Sequence, residues 1–219
     1  LDLPEPSSRV QALNSGQIDV AWTVRPDQRT VIEASGNKVV MSTTNNTLNL
    51  MLRHVDEDSP VADVRVRDAI ALAFDYESWN DYYDGKAAPS RGPLPANAEI
   101  GELPPVIERD LDRSRELLTE AGYPGGEGLT ISYVGISGLS FEEFFGTLLE
   151  ENLKEVGVEV EQILVPWPQM VELTANPAEA ADMNFFNVSM TSSDPSTILK
   201  SAYVTDAWAS LGGFNWAYY

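Results

Sequence analysis

The sequence contains no cysteine and only one histidine, His54. The first absence excludes a disulfide framework, thiolate metal ligation and thiol catalysis. The second excludes a histidine-built metal cluster and leaves His54, beside Arg53, as a surface or structural residue. Basic residues are scarce as well: 14 Lys and Arg stand against 34 Asp and Glu, for a net charge of -20 over 219 residues. Such a surface repels phosphate backbones and anionic lipid, so nucleic acid is not an expected partner. The acids are scattered along the chain, which reads as a solvated or salt-adapted surface rather than a site. No apolar run approaches the roughly 20 residues of a membrane span, and no basic-then-apolar leader precedes Leu1. The abrupt start at Leu1 and the aromatic stop at Phe214 to Tyr219 read as the ends of a piece of a longer protein.

Enzyme signatures are missing too. There is no Gly-x-Ser-x-Gly elbow, no phosphate loop and no HExxH. Gly122, Gly125, Gly126 and Gly128 follow a helical pattern instead of lying between strand and helix, so they make a turn and not a dinucleotide site. Glu142 and Glu143, like Glu150 and Glu151, are sequence neighbours that point to different helix positions. They read as solvated helix faces, not as an acid/base pair. No catalytic residue, metal site or cofactor is expected.

With 43% hydrophobic residues the chain can bury a sizeable core. Helical spacing and stop signals place helices over 7–15, 26–34, 63–74, 75–82, 110–121, 140–156, 166–174 and 196–202. Asp63, Asp75 and Asp110 stand as N-caps, and Ser140 with Glu143 has the form of a capping box. Strands are expected at Ile18 to Val24, Lys38 to Ser42, Leu48 to Arg53, Leu129 to Val134, Val158 to Val165 and Met183 to Met190. In the last, alternation puts Phe185, Asn187, Ser189 and Thr191 opposite Asn184, Phe186, Val188 and Met190, with one face core and the other unusually polar. Strand and helix alternate as in βαβ units, so the fold class is α/β, a mixed sheet flanked by helices.

Several blocks together resemble one family. They are Ser15-Gly16-Gln17-Ile18-Asp19-Val20-Ala21, Asp63-Val64-Arg65-Val66-Arg67-Asp68-Ala69-Ile70 with Ala73-Phe74-Asp75, Gly85, Pro93-Leu94-Pro95, the stretch Asp110 to Pro124, Leu148 to Val160, Trp167 and Asp194-Pro195. In this order and spacing the chain resembles the family 5 extracellular solute-binding proteins of peptide, nickel and oligosaccharide importers. The resemblance implies two lobes of a periplasmic-binding-protein-like fold that close on a ligand. Residues 1–42 would end the first lobe, and 43–219 would form the C-terminal lobe, truncated before its return to the first. It also implies a monomer outside the cytoplasmic membrane of a bacterium, periplasmic or held as a surface lipoprotein. Its ligand would be an oligopeptide or oligosaccharide, handed to the membrane permease of an ABC transporter. A receptor or sensor of the same fold is the alternative.

The resemblance brings site candidates with it. Thr44, Asn45 and Asn46 fall where the family's chain crosses between lobes, as hinge and cleft lining or as an ordinary polar turn. The strand from Phe185 to Thr191 would line the cleft, offering Asn187, Ser189 and Thr191. At Thr191 the peptide-binding members carry an acid for the ligand's α-amine, and their Gly-Trp is Asn187-Val188 here. Both departures favour a polar neutral ligand or an atypical peptide. Asp194 serves either as a substitute anchor or as the cap of the next helix. Trp22 and Trp208 are the aromatic candidates for stacking on ligand, while Trp167 is expected to pack. Arg67 and Asp75 are expected to be structural.

Overall fold

A computed structural model describes residues 3, 5–22, 24–41, 46–95, 104–177, 179–189 and 194–218. Helix α1 (Pro6–Asn14) opens the chain, and a short 3-10 turn at Pro26–Gln28 leads into α2 (Arg29–Ala34). Between and after them, the described residues of 18–24 and 38–42 are irregular, which corrects both strands expected there. The physical reason is that none of the described strands pairs with them. Val20, Trp22 and Val40 are 76%, 80% and 75% exposed, so their β-propensity meets no neighbouring ladder.

The sheet is built from β1 (Asn46–Leu52), β2 (Thr130–Ile136), β3 (Glu159–Val165) and β4 (Met183–Ser189), in the spatial order β1-β4-β2-β3. β4 runs parallel to β2, and β2 parallel to β3, while β1 closes the other edge antiparallel to β4. Helix α6 (Ser140–Glu155) is the crossover between β2 and β3. It stops at Gly157, whose φ of +83° lies in the left-handed region where a side chain would land on the Gly125 carbonyl.

Helices α3 (Val64–Ala73), α4 (Tyr76–Asp81) and α5 (Leu111–Glu120) begin where their aspartates place them. Asp63 accepts from Arg65 N at 2.8 Å, Asp75 from Glu77 N and Ser78 N, and Asp110 from Arg113 N at 2.9 Å. Each satisfies amides that a helix start leaves open. Asp75 and Arg67 are structural, as their positions imply: Arg67 donates to the Val61 and Ala62 carbonyls just ahead of α3. The capping box at Ser140 is not formed. Leu139 takes the N-cap position, Ser140 is already helical, and Glu143 turns back to the Gly138 amide instead.

Both faces of the sheet are covered. On one side Ile131, Tyr133, Met183 and Phe185 pack under α3, α5 and α6 with Ile70, Leu118, Phe145 and Leu149. On the other, Val134, Val165 and Val188 pack with Met170 of α7 (Trp167–Thr174), Ile198 of α8 (Ser196–Ala202) and Trp216. The reading of β4 as one core face and one polar face is therefore corrected. Phe185 faces the first core and Val188 the second, while Met190 and Thr191 lie outside the described residues. Each face is buried because helices flank a strand that is internal to a mixed sheet.

Candidate functional site

The parallel register assembles one polar edge. β2, β3 and β4 all end on the same side, and β1, being antiparallel, begins there, so Asn46 pairs with Ser189. Continuing the β2–β4 register sets Ser137 level with Asn187. In open α/β sheets the crevice beyond the strands' carboxyl ends is where ligands bind, because loops diverge there and leave space. Here the N-terminal segment lies across that edge.

Two cavities of about 580 Å³ each open between that segment and the corner joining β2 to α6. One is walled by Arg25, Asp81, Tyr82, Ser140, Glu143 and Phe144, the other by Ser7, Arg25, Gln28, Ser137, Gly138 and Pro166. Tyr82 and Phe144 stack with ring centroids 4.8 Å apart, Trp79 stacks on Phe144 at 5.9 Å, and the Tyr82 hydroxyl donates to Ser140 Oγ at 3.1 Å. Burial pushes the Tyr82 phenol above its ordinary range. Arg29 pairs with Asp84 to close the N-terminal segment onto the end of the α4 region.

The corner itself is held from α6. Glu142 accepts the Ile136 N–H at 2.5 Å, Glu143 accepts that of Gly138 at 3.0 Å, and Ser137 N donates to the Val165 carbonyl at 2.9 Å. This corrects the reading of Glu142 as part of a solvated face: it is 2% exposed. Burial pushes its carboxyl up to about 7 against the opposing effect of the Ile136 amide. Adjacency in sequence concealed this, because Glu142 points inward to the strand end while Glu143 stays at the surface.

A stability effect follows from the sign of that shift. The folded state binds the Glu142 proton more tightly than the unfolded chain, whose ordinary value is 4.5. The stability contributed is full below about 4.5 and lost as pH rises through about 7. Glu142→Gln keeps an acceptor for Ile136 N without the titration. Urea unfolding at pH 5 and pH 8 is expected to show the wild-type difference shrinking by roughly 2–3 kcal/mol in the variant.

The residues singled out from the sequence are distributed unevenly. Asn46 and Asn187 are on the polar edge; Asn187 is half-buried, and its Oδ1 is buried without a hydrogen-bond partner among the described residues. Ser189 belongs to the same strand end by its backbone. Thr44, Asn45 and Thr191 lie outside the described residues. Trp22 is largely exposed on the N-terminal segment. Trp208 is set apart: it packs edge-on against Tyr218, whose hydroxyl donates to the Thr174 carbonyl at the far end of α7. The neighbouring Ala217 carbonyl meets His54 Nδ1 at 3.2 Å, just beyond the end of β1 opposite the polar edge. His54 is thus a structural residue.

Asp194 accepts the Ser196 amide at 2.9 Å at the start of α8, the capping role, and that bond holds its carboxyl below the usual range. Trp167 packs against Trp216 at 5.7 Å. Ser137, Ser140, Tyr82 and Arg25 escaped the motif search. The signal for the two serines was positional: a strand ending at Val134 and a helix starting near Ser140 define a strand-to-helix corner at a carboxyl end.

The fold is shared by solved periplasmic binding proteins. The dipeptide-binding protein of Pseudoalteromonas sp. SM9913, solved with Met-Leu, superposes with a TM-score of 0.84 at 20% identity over 99% of this chain and 43% of its own. NikA of Staphylococcus aureus, solved with Ni(L-His)2, does so at 0.82 and 20% identity over 97% of this chain and 45% of its own.

The family follows from sequence: the model of the bacterial extracellular solute-binding proteins, family 5 (middle), matches residues 2–210, and the chain belongs to that family. A curated relative, the glutathione-binding protein GsiB of Pectobacterium atrosepticum, is 23% identical over 217 residues, 97% of this chain and 41% of the relative. The chain thus spans less than half the length of the relatives it matches. Among the described residues no helix is long and apolar enough to cross a membrane, and no three His, Asp or Glu side chains converge to hold a metal ion.

Proposed function

We propose that this chain is part of the extracytoplasmic substrate-binding component of a bacterial ABC importer, and that its solute is a peptide or another amino-acid derivative. The observation carrying the proposal is the pair of cavities at the carboxyl edge of the sheet in a chain that belongs to the family 5 solute-binding proteins. Glutathione and Met-Leu, for which one relative is named and with which another was solved, are peptides, and Ni(L-His)2, bound to NikA, is a nickel complex of an amino acid. That favours a peptide-like solute over an oligosaccharide.

In this reading residues 1–42 end one lobe and 43–219 form most of the other. The protein works as a monomer without a cofactor or covalent chemistry. Ligand contacts from both sides favour a closed arrangement, which the membrane permease recognises. A ligand with equal affinity for the open and closed arrangements would close nothing. The carboxylates at the corner hold backbone amides rather than converge as an acid/base pair, which supports binding over hydrolysis.

Thermal unfolding with rising concentrations of free-carboxyl di- to pentapeptides, glutathione and oligosaccharides tests the proposal. A true ligand raises Tm in a dose-dependent way, by a free energy of about 2.7 kcal/mol at 100 times its Kd. A shift with oligosaccharides alone would reject the peptide-type solute.

A further inference from the structure

Four of the five methionines fall among the described residues, and three of these belong to the core: Met51 is 4% exposed, and Met170 and Met183 are fully buried. Met41 differs from them. It is 44% exposed on the stretch that follows α2, and two cations face its thioether sulfur, Arg29 Nη2 at 2.7 Å and Lys86 Nζ at 3.3 Å. Through its other amino group Arg29 pairs with Asp84. The sulfur therefore stands in a clasp that joins α2 to the chain just past α4, where Asp84 helps to wall the cavity that Tyr82 and Phe144 also line.

A thioether is a poor partner for two cations, because its sulfur is uncharged and accepts hydrogen bonds only weakly. Burial offers little compensation at a side chain so open to solvent. A sulfoxide would reverse that mismatch. Its oxygen is polar and accepts hydrogen bonds, and donors that carry a charge make such bonds stronger.

We propose that Met41 is an oxidative modification site, whose conversion to methionine sulfoxide by a peroxide tightens the clasp between α2 and the chain past α4. In that step the sulfur attacks one peroxide oxygen, so that an S–O bond forms and the O–O bond breaks. The second oxygen leaves with both protons as water; the sulfur is oxidised and the peroxide reduced. The core methionines are shielded from the reagent, whereas Met41 meets it at the surface. The new oxygen accepts from Arg29 and Lys86 while Asp84 holds Arg29 from its other side, and the N-terminal segment is fastened more firmly beside the cavity.

The test treats the full chain with dilute hydrogen peroxide and follows each methionine by peptide mass spectrometry. Met41 is expected to oxidise roughly tenfold faster than Met51, Met170 and Met183. Hydrogen exchange of the oxidised chain is expected to slow roughly threefold over 29–35 and 84–86, the scale of one added hydrogen bond, and to recover after treatment with methionine sulfoxide reductases of both epimer classes. Met41→Leu keeps the apolar volume and is expected to show no response to peroxide. Met41→Gln, whose amide oxygen supplies an acceptor without oxidation, is expected to show the slowed exchange before any peroxide is added. Equal oxidation of the three core methionines, a response that persists in Met41→Leu, or unchanged or faster exchange at the clasp after oxidation would each overturn the proposal.

Discussion

Asp182→Ala is expected to destabilise the fold by about 3–5 kcal/mol, measured as a lowered urea midpoint with unchanged slope. Asp182 stands just ahead of β4 and is almost fully buried. Ser59 Oγ donates to its Oδ1 at 2.5 Å, while Ser132 donates to Oδ2 from its backbone amide at 2.9 Å and its hydroxyl at 2.7 Å. Arg53, 7% exposed, approaches Oδ1 at 3.6 Å and donates its backbone amide to the Asp182 carbonyl at 2.8 Å. One carboxylate therefore ties β2, the end of β1 and the turn before α3 to the start of β4.

Truncation leaves the Ser132 amide and the Ser59 hydroxyl without their acceptor and a buried guanidinium with fewer partners. Losing one side of a buried network costs more than the network's net contribution, because the survivors keep their desolvation penalty. Asp182→Asn, which retains one acceptor oxygen, is expected to fall between. The network lies at the edge of the sheet opposite the cavities, so ligand affinity at a temperature where the variants stay folded is expected to be unchanged.

Phe145→Ala is the second large effect, about 3–5 kcal/mol by the same measurement. Phe145 sits on the inner face of α6 with its ring 4.3 Å from Phe185, 5.2 Å from Phe74 and 5.3 Å from Trp79. It joins β4, α3, α4 and α6 in one aromatic cluster, and its removal opens a cavity among rigid rings that cannot collapse into it. Trp79 also stacks on Phe144, which lines a cavity, so this substitution is expected to weaken ligand binding as well. Phe145→Leu, keeping most of the volume, is expected to cost less than half as much.

These two positions differ in how readable they are. Phe145 follows from helical spacing with Phe141 and Leu148, and the whole of α6, α3 and α5 was legible from apolar periodicity and aspartate caps. Asp182 was not, because its partners Ser59, Arg53 and Ser132 are distant in sequence and no local pattern joins them. The strands at 18–24 and 38–42 show the opposite failure. Their residues carry β-propensity, but a strand needs a partner to accept its hydrogen bonds, and propensity alone does not supply one.

The candidate site divides along the same line. Asn46 and Asn187 were legible because a polar run between strands and a polar residue in an apolar strand are local anomalies. The Ser137 corner was legible only as a position in the topology. Arg25 required the three-dimensional arrangement, since the N-terminal segment reaches the corner across more than a hundred residues of chain. Glu142 was concealed by its neighbour Glu143: a single residue step of the helix, about 100°, sends two adjacent carboxylates to different environments, and only burial separates them.

The central claim is that solute binds between the N-terminal segment and the carboxyl edge of the sheet. Hydrogen exchange with and without a ligand that raises Tm tests it directly, since amides at the contact gain protection when they close. The account predicts slower exchange at 25–29, 81–84 and 137–144. Protection confined to the Trp208 and Tyr218 end, with those segments unchanged, would contradict it.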